Sequence, residues 1–372
     1  MKNIKKYPIS LCLILMILLI SIADIFNKDI DFSTFENRSL AQKPKFYYSD
    51  FESGRFFKSY ERYLNDQFLL RNTWINIKSA AEFVLGKKEN NGIIYGDKNF
   101  LFDKFEDIDE ENLRKNIDTL KSFITSSSSN FDVMIIPESF SIYKELLPNG
   151  ISLVDENQYI NTINTEFNNL NNVKSINLID KFIENKDRYI YYKTDHHWTS
   201  LGAYLAYKEF ANINNIEAID VQNLKENRVD SFLGTYFSKA KNFNVNEDYI
   251  TYYGNNNIDV KIDGVEVDGL NDDSKWSSSD RYSAFLHGNN GLTVITNNSV
   301  KDKSKILVIK DSYANSFIQF LINNYNEVYV VDLRSFIGSF NEFYSNNNFD
   351  KVLIMYSFKN LVNDVNISRI KY

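Results

Sequence analysis

Two short stretches of the chain hold residue types capable of group-transfer chemistry. The first, Tyr191-Tyr192-Lys193-Thr194-Asp195-His196-His197-Trp198-Thr199, contains two of the three histidines in 372 residues, beside a carboxylate and an indole. The second, Lys305-Ile306-Leu307-Val308-Ile309-Lys310-Asp311-Ser312-Tyr313-Ala314, is an apolar run that ends in Asp-Ser and passes directly into a helical pattern. A serine hydroxyl becomes a useful nucleophile at neutral pH when an imidazole takes its proton and a carboxylate orients that imidazole. In an extended Asp195–Trp198 segment, Asp195 and His197 project to one side and His196 to the other. The candidate catalytic set is therefore Ser312, His197 and Asp195. An Asp-Ser after a strand on its own is often only a helix cap, and buried hydrogen-bonded histidines are the plain alternative for the second cluster. A metal-dependent hydrolase built on Asp195, His196 and His197 would need further ligands, and His287 is the only other histidine; no metal is expected.

The elements that must position these residues are legible as short apolar runs alternating with helical patterns. Strands are expected at Val133–Pro137, Val173–Ile179, Ile306–Ile309, Val328–Val331 and Val352–Met355, and helices at Glu111–Ile124, Ser200–Phe210 and Tyr313–Tyr325. This alternation means an α/β fold with a mainly parallel sheet covered on both faces. Ligands bind at the carboxyl ends of the strands in such sheets, which is where Ser312 falls. Its amide would open a helix, where free N–H groups favour a developing negative charge. Between Tyr249 and Thr296, Ile258, Val260 and Ile262 alternate with polar residues before an Asp263-Gly264 turn and Val265 and Val267, which predicts a β-rich insertion over about 241–300. Upstream, Phe56, Phe57, Tyr60, Tyr63, Leu64, Gln67 and Phe68 follow helical spacing, and Thr73–Leu85 repeats it. The expected division is an anchor at 1–26, a helical stem packed on the domain at 27–90, and a catalytic domain at 91–372.

Composition bounds the function. With 43% hydrophobic and 24% charged residues the chain is globular, and a net charge of -7 argues against broad binding of nucleic acid. The single cysteine, Cys12, excludes an intrachain disulfide and a cysteine-based zinc site. Lys2, Lys5 and Lys6 precede an apolar run from Ile9 to Ile20, the order of a secretory signal or a short signal anchor, with Ser21-Ile22-Ala23 suited to cleavage. Cys12 is not a lipidation site, because most of the apolar run follows it.

Thr194-Asp195-His196-His197-Trp198-Thr199, followed by Gly202-Ala203-Tyr204, resembles the signature of the DHHW proteins, which are similar to the alginate O-acetylation proteins and belong to the SGNH hydrolase-like group. Glu36-Asn37-Arg38-Ser39-Leu40, Tyr63-Leu64-Asn65-Asp66-Gln67-Phe68, Gly234-Thr235-Tyr236-Phe237-Ser238-Lys239 and Lys310-Asp311-Ser312-Tyr313-Ala314-Asn315 extend the likeness over nearly the whole chain after the anchor. The resemblance implies a flavodoxin-like three-layer α/β/α fold, a retained single-pass anchor with the catalytic domain outside the cell, and a Ser312, His197 and Asp195 triad. It further implies acetyl transfer to, or removal from, a cell-surface or secreted polysaccharide, or else a non-catalytic scaffold in such a system. A membrane-bound O-acyltransferase is then the expected acetyl donor. The chain shows no P-loop or Gly-rich nucleotide cradle, and no cofactor is expected. For the oxyanion and substrate, His287-Gly288-Asn289-Asn290-Gly291 offers Gly288, Asn289 and Asn290, with a surface turn as the alternative. Trp198 offers a face for a sugar ring or else a core side chain, His196 flanks the base, and Arg334 falls at the sheet rim near substrate, with a plain surface salt bridge as the alternative.

Overall fold

The computed structural model describes residues 7–33, 38–241, 245–254 and 257–372. Lys2, Lys5 and Lys6, Glu36 and Asn37, and five residues of the expected insertion lie outside that range. The described chain divides into two compact units, residues 7–87 with Lys241, and residues 88–240 with 245–372.

In the larger unit, eight strands form one sheet. They are β1 (Phe131–Ile136), β2 (Val173–Ile176), β3 (Ile258–Ile262), β4 (Val265–Val267), β5 (Leu292–Asn297), β6 (Lys305–Lys310), β7 (Glu327–Val331) and β8 (Lys351–Ser357), in the order β4-β3-β5-β7-β6-β8-β1-β2. The five strands from β7 to β2 are parallel, with Ile306 opposite Val328 on one side and Lys351 on the other. β1 is buried at every residue, which requires cover on both faces. One helical group packs Ser200–Asn214 against Ala314–Leu321, and another packs Glu110–Ser126 against Phe358–Asn363. The result is the expected three-layer α/β/α architecture around one contiguous apolar core.

The β-rich segment is less separate than its alternation suggested. The hairpin of β3 and β4, turned at Asp263-Gly264, joins β5 and extends the central sheet antiparallel along β7. Asp263 and Gly264 both have positive φ, 49° and 86°, the backbone that such a two-residue turn requires. Lys225–Phe232 pairs with Asp248–Gly254 as a separate antiparallel ribbon.

In the smaller unit, α1 (Pro8–Ile25) is an 18-residue apolar helix with mean hydropathy 2.5 and no buried residue, long and apolar enough to cross a membrane. Two further helices follow where the spacing predicts them, α2 (Arg55–Gln67) and α3 (Arg71–Val84). Their apolar faces do not make a core: among the described residues of this unit, Leu40 is the one buried apolar side chain.

Candidate active site

β6 ends at Lys310, and its carboxyl end is tied to its neighbour before the following helix begins. The Asp311 carboxylate accepts from Ser357 N (2.8 Å) at the end of β8, from Asn360 Nδ2 (2.7 Å) in the helix that follows it, and from Tyr313 N (3.0 Å). Ser312 sits at this pinned corner, half-buried, directly ahead of the Ala314–Leu321 helix.

The histidine pair arrives on a tight hairpin closed by Tyr191 opposite Trp198. Asp248 holds the start of the loop by accepting from Lys193 N (3.1 Å), Thr194 N (2.7 Å), Thr194 Oγ1 (2.6 Å) and Tyr189 Oη (2.5 Å). Asp195 Oδ1 then accepts from both His197 N (3.0 Å) and His197 Nδ1 (2.6 Å), while Oδ2 accepts from Thr235 N (2.7 Å) and Oγ1 (2.8 Å). The far nitrogen, His197 Nε2, lies 2.8 Å from Ser312 Oγ. Asp195, His197 and Ser312 thus form one continuous hydrogen-bonded line, and its first two members are buried. Gly234 must be glycine here, since a Cβ would stand 2.2 Å from Asp195 Cβ.

His196 departs from expectation. The Asp195–Trp198 segment is not extended: the His197 N–H to Asp195 bond closes an Asx-type turn. His196 consequently stays beside its neighbour instead of facing away, with its ring centroid 3.7 Å from that of His197 and its Nδ1 3.6 Å from Asp195 Oδ1. Among the described residues, Asp195, His196 and His197 are the group whose ligand atoms lie close enough for a metal, within 4.8 Å of one another. Both His197 nitrogens already face Asp195 and Ser312, the arrangement of a proton relay rather than an open ligand set.

The local field suits that relay. Burial alone would raise the Asp195 carboxyl, but the two imidazoles and the bonds from His197 and Thr235 hold it well below the ordinary carboxylate range. Burial, and then repulsion from His197, push His196 down to about 4, so it is neutral at pH 7.

Trp198 is fully buried and cannot present a face to a sugar; this corrects the substrate-facing expectation. Its Nε1–H donates to the Tyr313 carbonyl (3.0 Å) and Ser316 Oγ (2.9 Å), so the indole fastens the histidine loop to the helix that follows Ser312. The Gly288–Asn290 turn divides. The Gly288 amide donates to Phe285 O (3.0 Å), and the Asn290 side chain donates to Leu286 O (2.9 Å), so neither is free to meet an oxyanion. Asn289 differs: its Oδ1 accepts from Lys310 Nζ (2.9 Å) and Asn315 Nδ2 (3.1 Å), which fixes the carboxamide with its NH2 pointing away from both donors. Arg334 grips Asp332 with a two-pronged ion pair at 2.8 and 2.6 Å. Asp332 also lies 3.5 Å from the buried Lys310, whose ammonium burial pushes down to about 8.

Several contributors left no sequence signal. Tyr282 stacks on His197, with centroids 3.6 Å apart and planes 7° from parallel, and its hydroxyl reaches Ser312 O at 3.2 Å. Beneath the loop, the Tyr313 hydroxyl contacts the His196 carbonyl and donates to Glu138 Oε2 (3.0 Å). Glu138 and Glu156 form a buried carboxyl pair, in which Glu156 accepts from Glu138 N at 3.1 Å through both oxygens. Burial raises both, Glu156 to about 8.

The DHHW protein family profile matches residues 93–331, a span that includes Asp195, His197 and Ser312. The chain belongs to the DHHW family. A DHHW family protein from Eubacterium siraeum is 24% identical over 76% of this chain and 95% of its own, with a TM-score of 0.65. PatB1 of Bacillus cereus, in a structure with a sulfonyl adduct, is 21% identical over 75% of this chain and 98% of its own, with a TM-score of 0.61. The O-acetyltransferase domain of Pseudomonas putida AlgJ is 13% identical over 73% of this chain and 93% of its own, with a TM-score of 0.48. No curated protein matches the sequence. The first two likenesses bear out the α/β fold of this DHHW protein.

Proposed function

We propose that this DHHW protein is an extracytoplasmic O-acetyltransferase that modifies a cell-surface or secreted polysaccharide through an acetyl–Ser312 intermediate. The observation that carries the reading is the unbroken line from Asp195 through His197 to Ser312 Oγ at the carboxyl end of β6. Ser312 Oγ attacks the acetyl carbonyl while His197 Nε2 takes its proton. That proton passes to the departing donor group as the acyl–oxygen bond breaks. A sugar hydroxyl then attacks the acetyl–serine and gives its proton to His197, which returns it to Ser312 Oγ as the acyl–serine bond breaks and the sugar leaves as its acetate ester. The pinned Asn289 amide is the proposed donor to the oxyanion formed in each step, beside the Ser312 N–H. Arg334 stays a substrate-side candidate through its exposed rim, a third of its side chain being accessible.

Water in place of the sugar makes the same intermediate a carbohydrate acetylesterase. A scaffold role would leave Ser312 unreactive. For location, α1 is about 27 Å long at 1.5 Å per residue, close to the ~30 Å hydrocarbon core. Lys2, Lys5 and Lys6 keep its start on the cytoplasmic side. The helical segment from residue 27 to residue 90 would then be an extracytoplasmic stem, and acetyl groups made inside would reach Ser312 through a membrane-bound O-acyltransferase.

The PatB1 adduct makes sulfonyl electrophiles the natural reagent for a test. A sulfonyl fluoride should modify Ser312 in the wild type and leave Ser312→Ala unmodified. Equal labelling of both proteins would overturn the reading.

A further inference from the structure

The helix α2 carries an apolar face that the described chain covers only in part, leaving Phe57, Tyr60 and Leu64 exposed. Phe56, Phe57, Tyr60, Tyr63 and Leu64 recur at helical spacing on one side, and Lys58 and Arg62 fall on the other. The rings form a ladder, with centroids 5.9 Å apart for Phe56 and Tyr60 and 5.8 Å for Tyr60 and Tyr63, and Phe46 and Phe51 lengthen it at its start. Phe57 is 57% exposed and Phe46 62%.

The carboxyl end of α2 is fastened where α1 ends. Asp24, in the last turn of α1, accepts from Leu69 N at 2.7 Å. Just beyond it, Asn27 Nδ2 donates to Gln67 O (3.1 Å), Ile30 N donates to Gln67 Oε1 (2.9 Å), and Tyr63 Oη donates to Asp29 (3.1 Å). The base of a membrane-length helix and the carboxyl end of α2 are therefore one fastened corner.

An amphipathic helix with aromatic rings on one side and basic residues on the other settles in the boundary between headgroups and acyl chains. Tyrosine suits that layer because its ring is apolar and its hydroxyl is wet. We infer that α2 lies in the interfacial layer of the bilayer that α1 spans, with the Phe56–Leu64 face towards the acyl chains and Lys58 and Arg62 towards headgroups and water. This rests on α1 being a retained anchor and is independent of the chemistry at Ser312.

The test uses the full chain in phosphatidylcholine–phosphatidylglycerol vesicles carrying lipids brominated at shallow or deep positions, with an environment-sensitive fluorophore on one cysteine. The native Cys12 reports on α1. Phe57→Cys and Leu64→Cys, each with Cys12→Ser, report on the apolar face, and Lys58→Cys with Cys12→Ser reports on the opposite one. The expected result is quenching at Cys12 by deep bromines, at positions 57 and 64 by shallow bromines, and at position 58 by neither. Quenching at Cys12 with none at positions 57 and 64 would overturn the interfacial helix while leaving the anchor standing. Equal quenching at 57 and 58 would overturn the oriented face, and no quenching at any position would overturn the anchor and the inference together.

Discussion

The two units of this protein use apolar side chains in opposite ways. In the larger, β6 and the helix after it are sealed: Ile306 to Ile309 and Phe317 to Leu321 are buried among their neighbours, and exposed large apolar residues are few. In the smaller, the same aromatic and aliphatic types at equally regular spacing stay in contact with the surroundings, from Phe26 to Leu85. The contrast teaches that helical periodicity announces an apolar face without saying what the face meets. A protein core needs partners from other elements, and only the larger unit supplies them.

The largest expected effects fall in the sealed unit. Ser312→Ala, His197→Ala and the double variant should each lose roughly three or more orders of magnitude of acetyl-ester turnover, with little added by the second change, because the members of one relay act together. Steady-state rates on an acetyl ester reporter check this, and additive losses would break the link between the two loops. Core truncation comes next. Phe317→Ala should cost about 3–5 kcal/mol of unfolding free energy, whereas Phe57→Ala in α2 should shift it by less than about 0.5 kcal/mol. Denaturant titration of both variants decides whether the two regions differ as described.

Trp198→Phe should cost about 1–3 kcal/mol, because the indole bond to the Tyr313 carbonyl and Ser316 has no replacement, and it should slow small and large esters alike. A loss confined to oligosaccharides would return Trp198 to the substrate side. A further effect concerns pH. Burial raises Glu156 from 4.5 to about 8, so the folded state binds a proton that the unfolded chain releases first. Its stabilisation is complete below pH 4.5 and fades as pH rises towards 8. Glu156→Gln should flatten that part of the melting-temperature profile, and an unchanged slope would assign it to other groups.

How far the site could be read ahead depended on whether its parts lie close in sequence. Asp195, His197 and Ser312 were recoverable because scarce histidines and a strand-to-helix step are local signals. Asp248 and Tyr282, which hold the loop and the imidazole, were not, since nothing around them marks a partner 50 or more residues away. Strand positions in the parallel sheet were legible from continuous apolar runs, with ends shifted by a few residues. The insertion was read correctly as β-rich but not as an extension of the sheet, because alternation gives a strand its faces and not its neighbour. Trp198 was ambiguous for the same reason: an indole next to the histidine of the proposed triad fits a binding surface and a buried brace equally well until its contacts are known.

The central claim is that Ser312 carries the acetyl group, and the most direct measurement is mass spectrometry of the chain quenched in acid during turnover of an activated acetyl ester. One added acetyl group is expected on the peptide containing Ser312, absent from Ser312→Ala and strongly reduced in His197→Ala. Acetylation at another residue, or an adduct of equal yield in Ser312→Ala, would contradict it.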